Sequence, residues 1–258
     1  MHEEGAYLLP YSSMDCIPLG GIESLSAACY PRPSRRCGIL LAELEAAGIM
    51  GFVPSGKTWV PGYPRSVKVL GKGHASIVVA ACYRGGGVAA VKIRRPDSKR
   101  ESLVQEASLL LEASRAGASP RPWAWSRNFI VMDLVSGPSL GEALRVWARD
   151  RRLARLLLAK ALHAAYAMDQ AMILHRELSR PHRHILFTGD PARSAALVID
   201  LESATPGKCG NLNRIAQYAA RVLGASIRGV SGLLARYKRE GCPRSLYIEI
   251  VERLIGLH

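Results

Sequence analysis

Between residues 67 and 134 the apolar positions fall into short runs of strand length, at 67–70, 77–80, 88–93 and 129–132. Gly71-Lys72-Gly73 and Gly85-Gly86-Gly87 supply turns between the first three. Within this stretch, residues 102–116 switch to a helical period, with Leu103, Leu109, Leu110 and Ala113 on one side. Gly137-Pro138-Ser139 breaks the pattern, and helices dominate beyond it. Residues 153–172 form a long amphipathic helix on Leu157, Leu158, Ala161, Leu162, Ala165 and Met168. Two β runs follow, at 185–187 and 197–199, and the tail is helical at 215–223 and 245–255. Ahead of the strands, Pro10, Pro18, Gly20-Gly21, Pro31 and Pro33 interrupt every period, so residues 1–37 read as an irregular extension. Residues 38–50 carry Leu40, Leu41, Leu44 and Ile49 near helical spacing, and the Pro54-Ser55-Gly56 turn predicts a hairpin of Phe52-Val53 with residues 58–60. The expected architecture is α+β. It has an extension (1–37), a helix-hairpin accessory segment (38–62), a small β-rich lobe (63–136) and a helical lobe (137–258), with no internal repeat.

A chain of 258 residues can bury a sizeable core, and 48% hydrophobic with 6% aromatic residues suits a soluble α/β or α+β protein. No apolar run approaches bilayer length, and Met1-His2-Glu3-Glu4 lacks the design of a secretory signal, so a cytoplasmic protein without a membrane partner is expected. The six cysteines, at 16, 29, 37, 82, 209 and 242, form no C-x-x-C pair, which argues against zinc. Disulfides stay open, because intracellular proteins of hyperthermophiles carry them. The net charge of +14, from 35 basic against 21 acidic residues, changes the picture more. A nucleotide needs only a few local donors, whereas a polyanion such as nucleic acid suits an excess of this size. A generally basic soluble surface is the plainer alternative.

Several residues then stand out chemically. Lys92 closes the apolar run Val88-Ala89-Ala90-Val91, which puts an ammonium at the end of a buried strand. Glu106, in the following helix, is better placed to hold it than Glu101 or Glu112. Gly71-Lys72-Gly73-His74-Ala75-Ser76 lies between two strands, where glycines let backbone N–H groups approach phosphate oxygens; an ordinary hairpin turn has the same composition. His175-Arg176-Glu177-Leu178 ends the long helix, Pro181 enforces a loop, and Asp200 ends the run Leu197-Val198-Ile199. Phosphoryl transfer uses two carboxylates in this order, one orienting the attacking hydroxyl and one holding the metal that bridges the nucleotide phosphates. Glu177 suits the first role and Asp200 the second. His182 stands where a metal-binding asparagine is usual, with His184 close by; contact with a substrate phosphate is the other reading of either imidazole. Glu202 is either a second carboxylate for the metal or a cap of the loop.

The chain resembles RIO-type kinases and, more closely, an archaeal group of predicted Ser/Thr kinases that includes RNA kinases acting on tRNA. The likeness rests on Val69-Leu70-Gly71-Lys72-Gly73-His74, on Val91 through Arg100, on Gln105-Glu106-Ala107 and on Arg127 through Asp133. It continues in His175-Arg176-Glu177-Leu178-Ser179-Arg180-Pro181 and Val198-Ile199-Asp200-Leu201-Glu202-Ser203, where Arg176 replaces the glycine of that group. The resemblance implies a two-lobed, protein-kinase-like fold that transfers the γ-phosphate of ATP, with Mg2+, to a ribose 2′-hydroxyl in tRNA. It implies nucleotide contacts at Gly71, Lys72, Gly73, Ser76, Lys92, Glu106, Met132 and Leu134, metal at Asp200 and His182, and catalysis by Lys92, Glu177 and Asp200. Arg94, Arg95, Arg100, Arg176, Arg180 and Arg183 are the expected RNA contacts, and the Arg149–Arg155 group reads as a solvated helix face. The short stretch after Glu202 leaves little room for a peptide-binding segment, which favours RNA over a protein acceptor. A protein Ser/Thr kinase of the same fold and a catalytically impaired nucleotide-binding RNA scaffold are the alternatives.

Overall fold

The structure is a computed structural model that describes residues 16–32, 34–61, 66–147 and 149–256. It is α+β, with an antiparallel sheet and several helices. The chain divides into two compact units, a sheet unit from the described parts of Leu9–Ser108 with Arg121–Leu134, and a helical unit from Leu109–Pro120 with the described part of Val135–His258. None of the described helices is long and apolar enough to cross a membrane.

The sheet unit opens with β1 (Ile17–Pro18), α1 (Ile22–Ala28), α2 (Arg36–Ala46) and β2 (Ile49–Val53). Next come β3 (Thr58–Val60), β4 (Val67–Val69), β5 (Gly71–Lys72), β6 (Ser76–Tyr83) and β7 (Val88–Arg94). The start of α3 (Val104–Arg115), then β8 (Pro122–Trp125) and β9 (Phe129–Asp133), complete it. The sheet runs β1-β2-β6-β7-β9-β8, with β5 also on β6. Alternation divides its two faces. Ile77, Val79, Ala81, Ala89, Val91, Ile93, Phe129 and Val131 face one core with Leu40, Leu44 and Tyr30. Lys92 therefore lies on the opposite face, in register with Val78 on β6 and Ile130 on β9, and Met132 shares that face through its pairing with Ala90.

Three expectations are corrected here. Residues 17–18 and 22–28, expected to be irregular, form β1 and α1, because Ile17 pairs with Phe52 and Ala27 and Ala28 are buried in the sheet core. Phe52-Val53 does not form a hairpin with residues 58–60: β2 pairs with β6, whereas β3 pairs with β4. The longer ladder to β6 outweighs a local turn whose residues name no partner. The segment expected as an accessory thus contributes β2 to the main sheet. The first fifteen residues and the expected boundary at 62–63 lie outside the described residues.

In the helical unit, α4 (Leu140–Trp147) precedes α5 (Arg151–Gln170), whose first turn is capped by Asp150 Oδ1 accepting from Leu153 N–H at 3.0 Å. Two small ladders follow, β10 (Ile173–Leu174) with β13 (Thr205–Pro206), and β11 (Ile185–Phe187) with β12 (Ala196–Val198). Helices α6 (Asn211–Leu223), α7 (Arg228–Arg239) and α8 (Arg244–Ile255) close the unit. Lys160 on α5 donates to the carbonyls of Pro191, Ala192 and Ser194 at 2.8, 2.9 and 2.7 Å, which pins the loop between β11 and β12. Its three protons are all used, and burial pushes its pKa down.

All six cysteines pair, as Cys16–Cys82, Cys29–Cys37 and Cys209–Cys242. Oxidised protein unfolded in guanidinium should therefore react with no thiol reagent, and should release six thiols once reductant is added. A free thiol before reduction counts against the pairing.

Candidate functional site

The sheet unit holds one group of expected residues. Lys92 sits inside β7 rather than at its end, and is 3% exposed in a strand buried on both faces. An ammonium there needs a partner, and Lys92 Nζ donates to Glu106 Oε1 at 2.6 Å, 14 residues away on α3. Arg100 Nη1 lies 3.5 Å from the other carboxylate oxygen of Glu106, so two cations share one buried acid.

The glycine turn is a tight hairpin from β5 to β6, closed by Gly73 N–H donating to Ser76 O at 2.8 Å. Lys72 and Gly73 are exposed, whereas Ser76 is buried at the start of β6. Arg95 braces this turn: it donates to Gly73 O at 3.0 Å and, through two nitrogens, to Asp97 at 2.9 and 2.6 Å. Tyr30 lies beneath, with Lys72 Nζ 5.3 Å and Arg95 Cζ 5.0 Å from its ring centre.

The sheet-unit arginines expected to meet RNA are largely engaged inside the protein. Arg94 is 7% exposed and donates to Asn128 Oδ1 at 3.0 Å and to Arg100 O at 3.2 Å. Burial, with Arg36 and Arg127 nearby, pushes its pKa down. Arg100 is half-buried and donates to Ser102 O at 3.1 Å. Arg94 and Arg100 are structural, because a strand end and its following loop enclose their guanidinium groups.

The helical unit brings the second group together. Ile173 and Leu174 pair with Pro206 and Thr205, which draws the segment carrying Glu177 against the one carrying Asp200. The β11–β12 ladder continues one step past Val198, where Ile199 N–H donates to His184 O at 2.9 Å. That register sets His184 beside Asp200. Ligand atoms of Glu177, His184 and Asp200 all lie within 4.8 Å of one another, and His184 Nε2 is 3.5 Å from Glu177 Oε2. Both carboxylates are exposed. Asp200 has φ of 64°, the left-handed region that aspartate tolerates better than most residues, and it precedes a 3-10 turn at Leu201–Ser203.

His182, the expected metal ligand, is not in this group. The 3-10 turn Pro181–Arg183 packs on α4, where a Cβ at Gly141 would sit 3.0 Å from both Cβ and O of His182. Burial, then the neighbouring Arg183 and the groups near it, hold the His182 imidazole below its usual pKa. Arg176, Arg180 and Arg183 are exposed; Arg176 donates to Thr205 Oγ1 at 3.0 Å, and its carbonyl accepts from Arg214 at 3.0 Å.

A polar network absent from the sequence-based expectations holds this loop. Asp169, at the end of α5, is 1% exposed. Its carboxylate accepts from the backbone N–H groups of Gly210, Asn211 and Leu212 at 2.7, 2.8 and 3.0 Å, from Asn211 Nδ2 at 2.8 Å and from the Tyr237 hydroxyl at 3.0 Å. Asn211 in turn donates to Ile173 O at 2.7 Å and accepts from His175 N–H at 2.9 Å. His175 is fully buried; its Nε2 donates to Ile199 O at 3.2 Å, and its Nδ1 accepts from Glu177 N–H at 3.2 Å. The imidazole is therefore neutral, in agreement with burial and His184 pushing its pKa down. The available signal for Asp169 was an acid directly after Met168, within the buried stripe of an amphipathic helix.

One imidazole and two carboxylates are donors suited to a divalent cation, and buried His184 Nδ1 makes no hydrogen bond to balance an alternative use of the ring. No protein-family model matches the chain, and no curated protein does.

Asp169→Asn places an amide against converging N–H donors and should lower stability by about 2–3 kcal/mol, the scale of an unsatisfied buried group. Asn211→Ala should cost less and loosen residues 173–177 selectively. Denaturant midpoints and amide exchange check both; an unchanged midpoint in Asp169→Asn would show that the network does not hold the loop.

Proposed function

We propose that the chain is an ATP-dependent kinase of the two-lobed, RIO-like type that phosphorylates an RNA hydroxyl, with a ribose 2′-hydroxyl in tRNA as the acceptor that the resemblance favours. The observation that carries this reading is the gathering of Glu177 and Asp200, from separate segments, into one group with His184. Two carboxylates so placed can serve an acceptor hydroxyl and a metal-bound nucleotide together. The buried Lys92–Glu106 pair supports it, since a lysine held by a carboxylate is a fixed cation for phosphate oxygens. In this reading Gly71, Lys72 and Gly73 cover the triphosphate, and Met132 and Leu134 flank the adenine. Glu177, which is exposed, orients the hydroxyl and takes its proton. Asp200, with His184 beside it, would hold the divalent cation, which supplies charge neutralisation at the phosphates when bound.

RNA is favoured over peptide by charge. Exposed Arg176, Arg180 and Arg183 lie within six residues of Glu177 in the chain, which carries +14 overall.

Glu177→Ala and Asp200→Ala should each lower turnover at least ~100-fold, the scale of losing an acid–base or metal contact. Both residues are exposed, so circular dichroism should be unchanged. With γ-labelled ATP offered to bulk tRNA and to bulk protein separately, the label should enter tRNA. Label in protein alone would replace RNA by a protein acceptor, and no transfer to either would leave a nucleotide-binding scaffold.

A further inference from the structure

Resting on the metal role just assigned to this group, we infer that His184 is a direct metal ligand and that the site prefers a first-row divalent cation that accepts imidazole nitrogen, with Mn2+ as the probe, over Mg2+. The β11–β12 register brings this imidazole, and not that of His182, to Asp200 and Glu177. The neighbouring ring of His175, 5.1 Å away between centroids, cannot serve: one nitrogen donates to Ile199 O and the other accepts from Glu177 N–H. His175 instead holds both acid-bearing segments in place around the ligand position. His184 has no such engagement at Nδ1, which is buried without a hydrogen bond, while its Nε2 faces Glu177 at 3.5 Å.

The donor set decides the ion. Mg2+ requires near-ideal octahedral oxygen coordination and dehydrates reluctantly, so an imidazole is a poor ligand for it. First-row ions accept imidazole nitrogen alongside carboxylate, and affinity in such sites rises from Mn2+ onward. Asp200 and His184 would supply two positions, which leaves Glu177 to the acceptor side.

The test uses the full chain and Mn2+ alone, without nucleotide. Loss of the free-ion paramagnetic signal gives stoichiometry and affinity, and electron spin echo modulation of the bound ion reports nitrogen coordination. One bound Mn2+ with nitrogen modulation is expected, and the modulation should change frequency when histidine is labelled with 15N. His184→Asn should abolish it and lower the ratio of Mn2+ to Mg2+ affinity at least ~10-fold, the lower end of what even an outer-shell change costs. His182→Asn should change neither. The inference is overturned by Mn2+ that does not bind or that binds without nitrogen modulation. It is equally overturned if His182→Asn, rather than His184→Asn, removes the modulation. Should His184→Asn not fold, the 15N experiment on the unmutated chain decides alone. Because no turnover is measured, nitrogen-coordinated Mn2+ without phosphoryl transfer would sink the kinase reading only, and transfer with Mg2+ but no nitrogen coupling would sink this one only.

Discussion

A carboxylate buried among donors is the constraint on which the helical unit depends. Asp169 ends α5, caps the first turn of α6 with its two oxygens and takes the phenol proton of Tyr237 from α7 as a hydrogen bond. The positive end of the α6 dipole adds to the attraction. Burial drives the Asp169 carboxyl above its usual pKa even against these donors, and the same burial with the adjacent acid keeps the Tyr237 proton on its oxygen. An acid in this position must be surrounded or abandoned, so three helix termini are fixed relative to one another by one group. Cys209–Cys242 and the bond from Gln170 Nε2 to Cys242 O, 3.0 Å long, fasten the same corner covalently and polarly.

The consequence passes to the candidate site through Asn211. Its amide saturates Ile173 O and His175 N–H, and neutral His175 then spans from Glu177 N–H to Ile199 O. The two exposed acids are thereby set by a fully buried histidine behind them. Rigid backing beneath solvent-facing groups is the arrangement that keeps reactive side chains within the narrow tolerances chemistry needs.

Much of this was legible in the chain. The runs at 77–80, 88–93 and 129–132 are nearly continuous in apolar residues because both faces of β6, β7 and β9 are covered, and Lys92 stood out as the lone charge among them. Glu106 followed from the expectation of a helix glutamate for that lysine, with helix position separating it from Glu101 and Glu112. What was hidden depended on long-range pairing. The choice of His184 over His182 rests on a ladder with β12 that no local pattern specifies. The β2 strand found β6 rather than its neighbour β3 for the same reason. Helix α7 was masked by Gly229 and Gly232 and a charged surface, although Val230, Leu234 and Tyr237 are buried along one side. Arg94 looked like a nucleic-acid contact because an arginine next to another arginine reads as surface until the carbonyl and amide that enclose it are known.

The enclosure of Arg94 extends further than its own bonds. Asn128, which accepts from Arg94, also donates to Glu43 on α2 at 3.1 and 3.2 Å, and Glu43 takes a further bond from Ser126 at 2.8 Å. A relay thus runs from α2 through the β8–β9 turn to the end of β7. Together with Cys16–Cys82 and the β1–β2 ladder, it makes the early part of the chain integral to the sheet. A fragment trimmed to begin at the glycine turn would expose a sheet edge, take Glu43 from Asn128 and remove helical cover from one face, so an autonomous piece has to keep the chain from Cys16 onward.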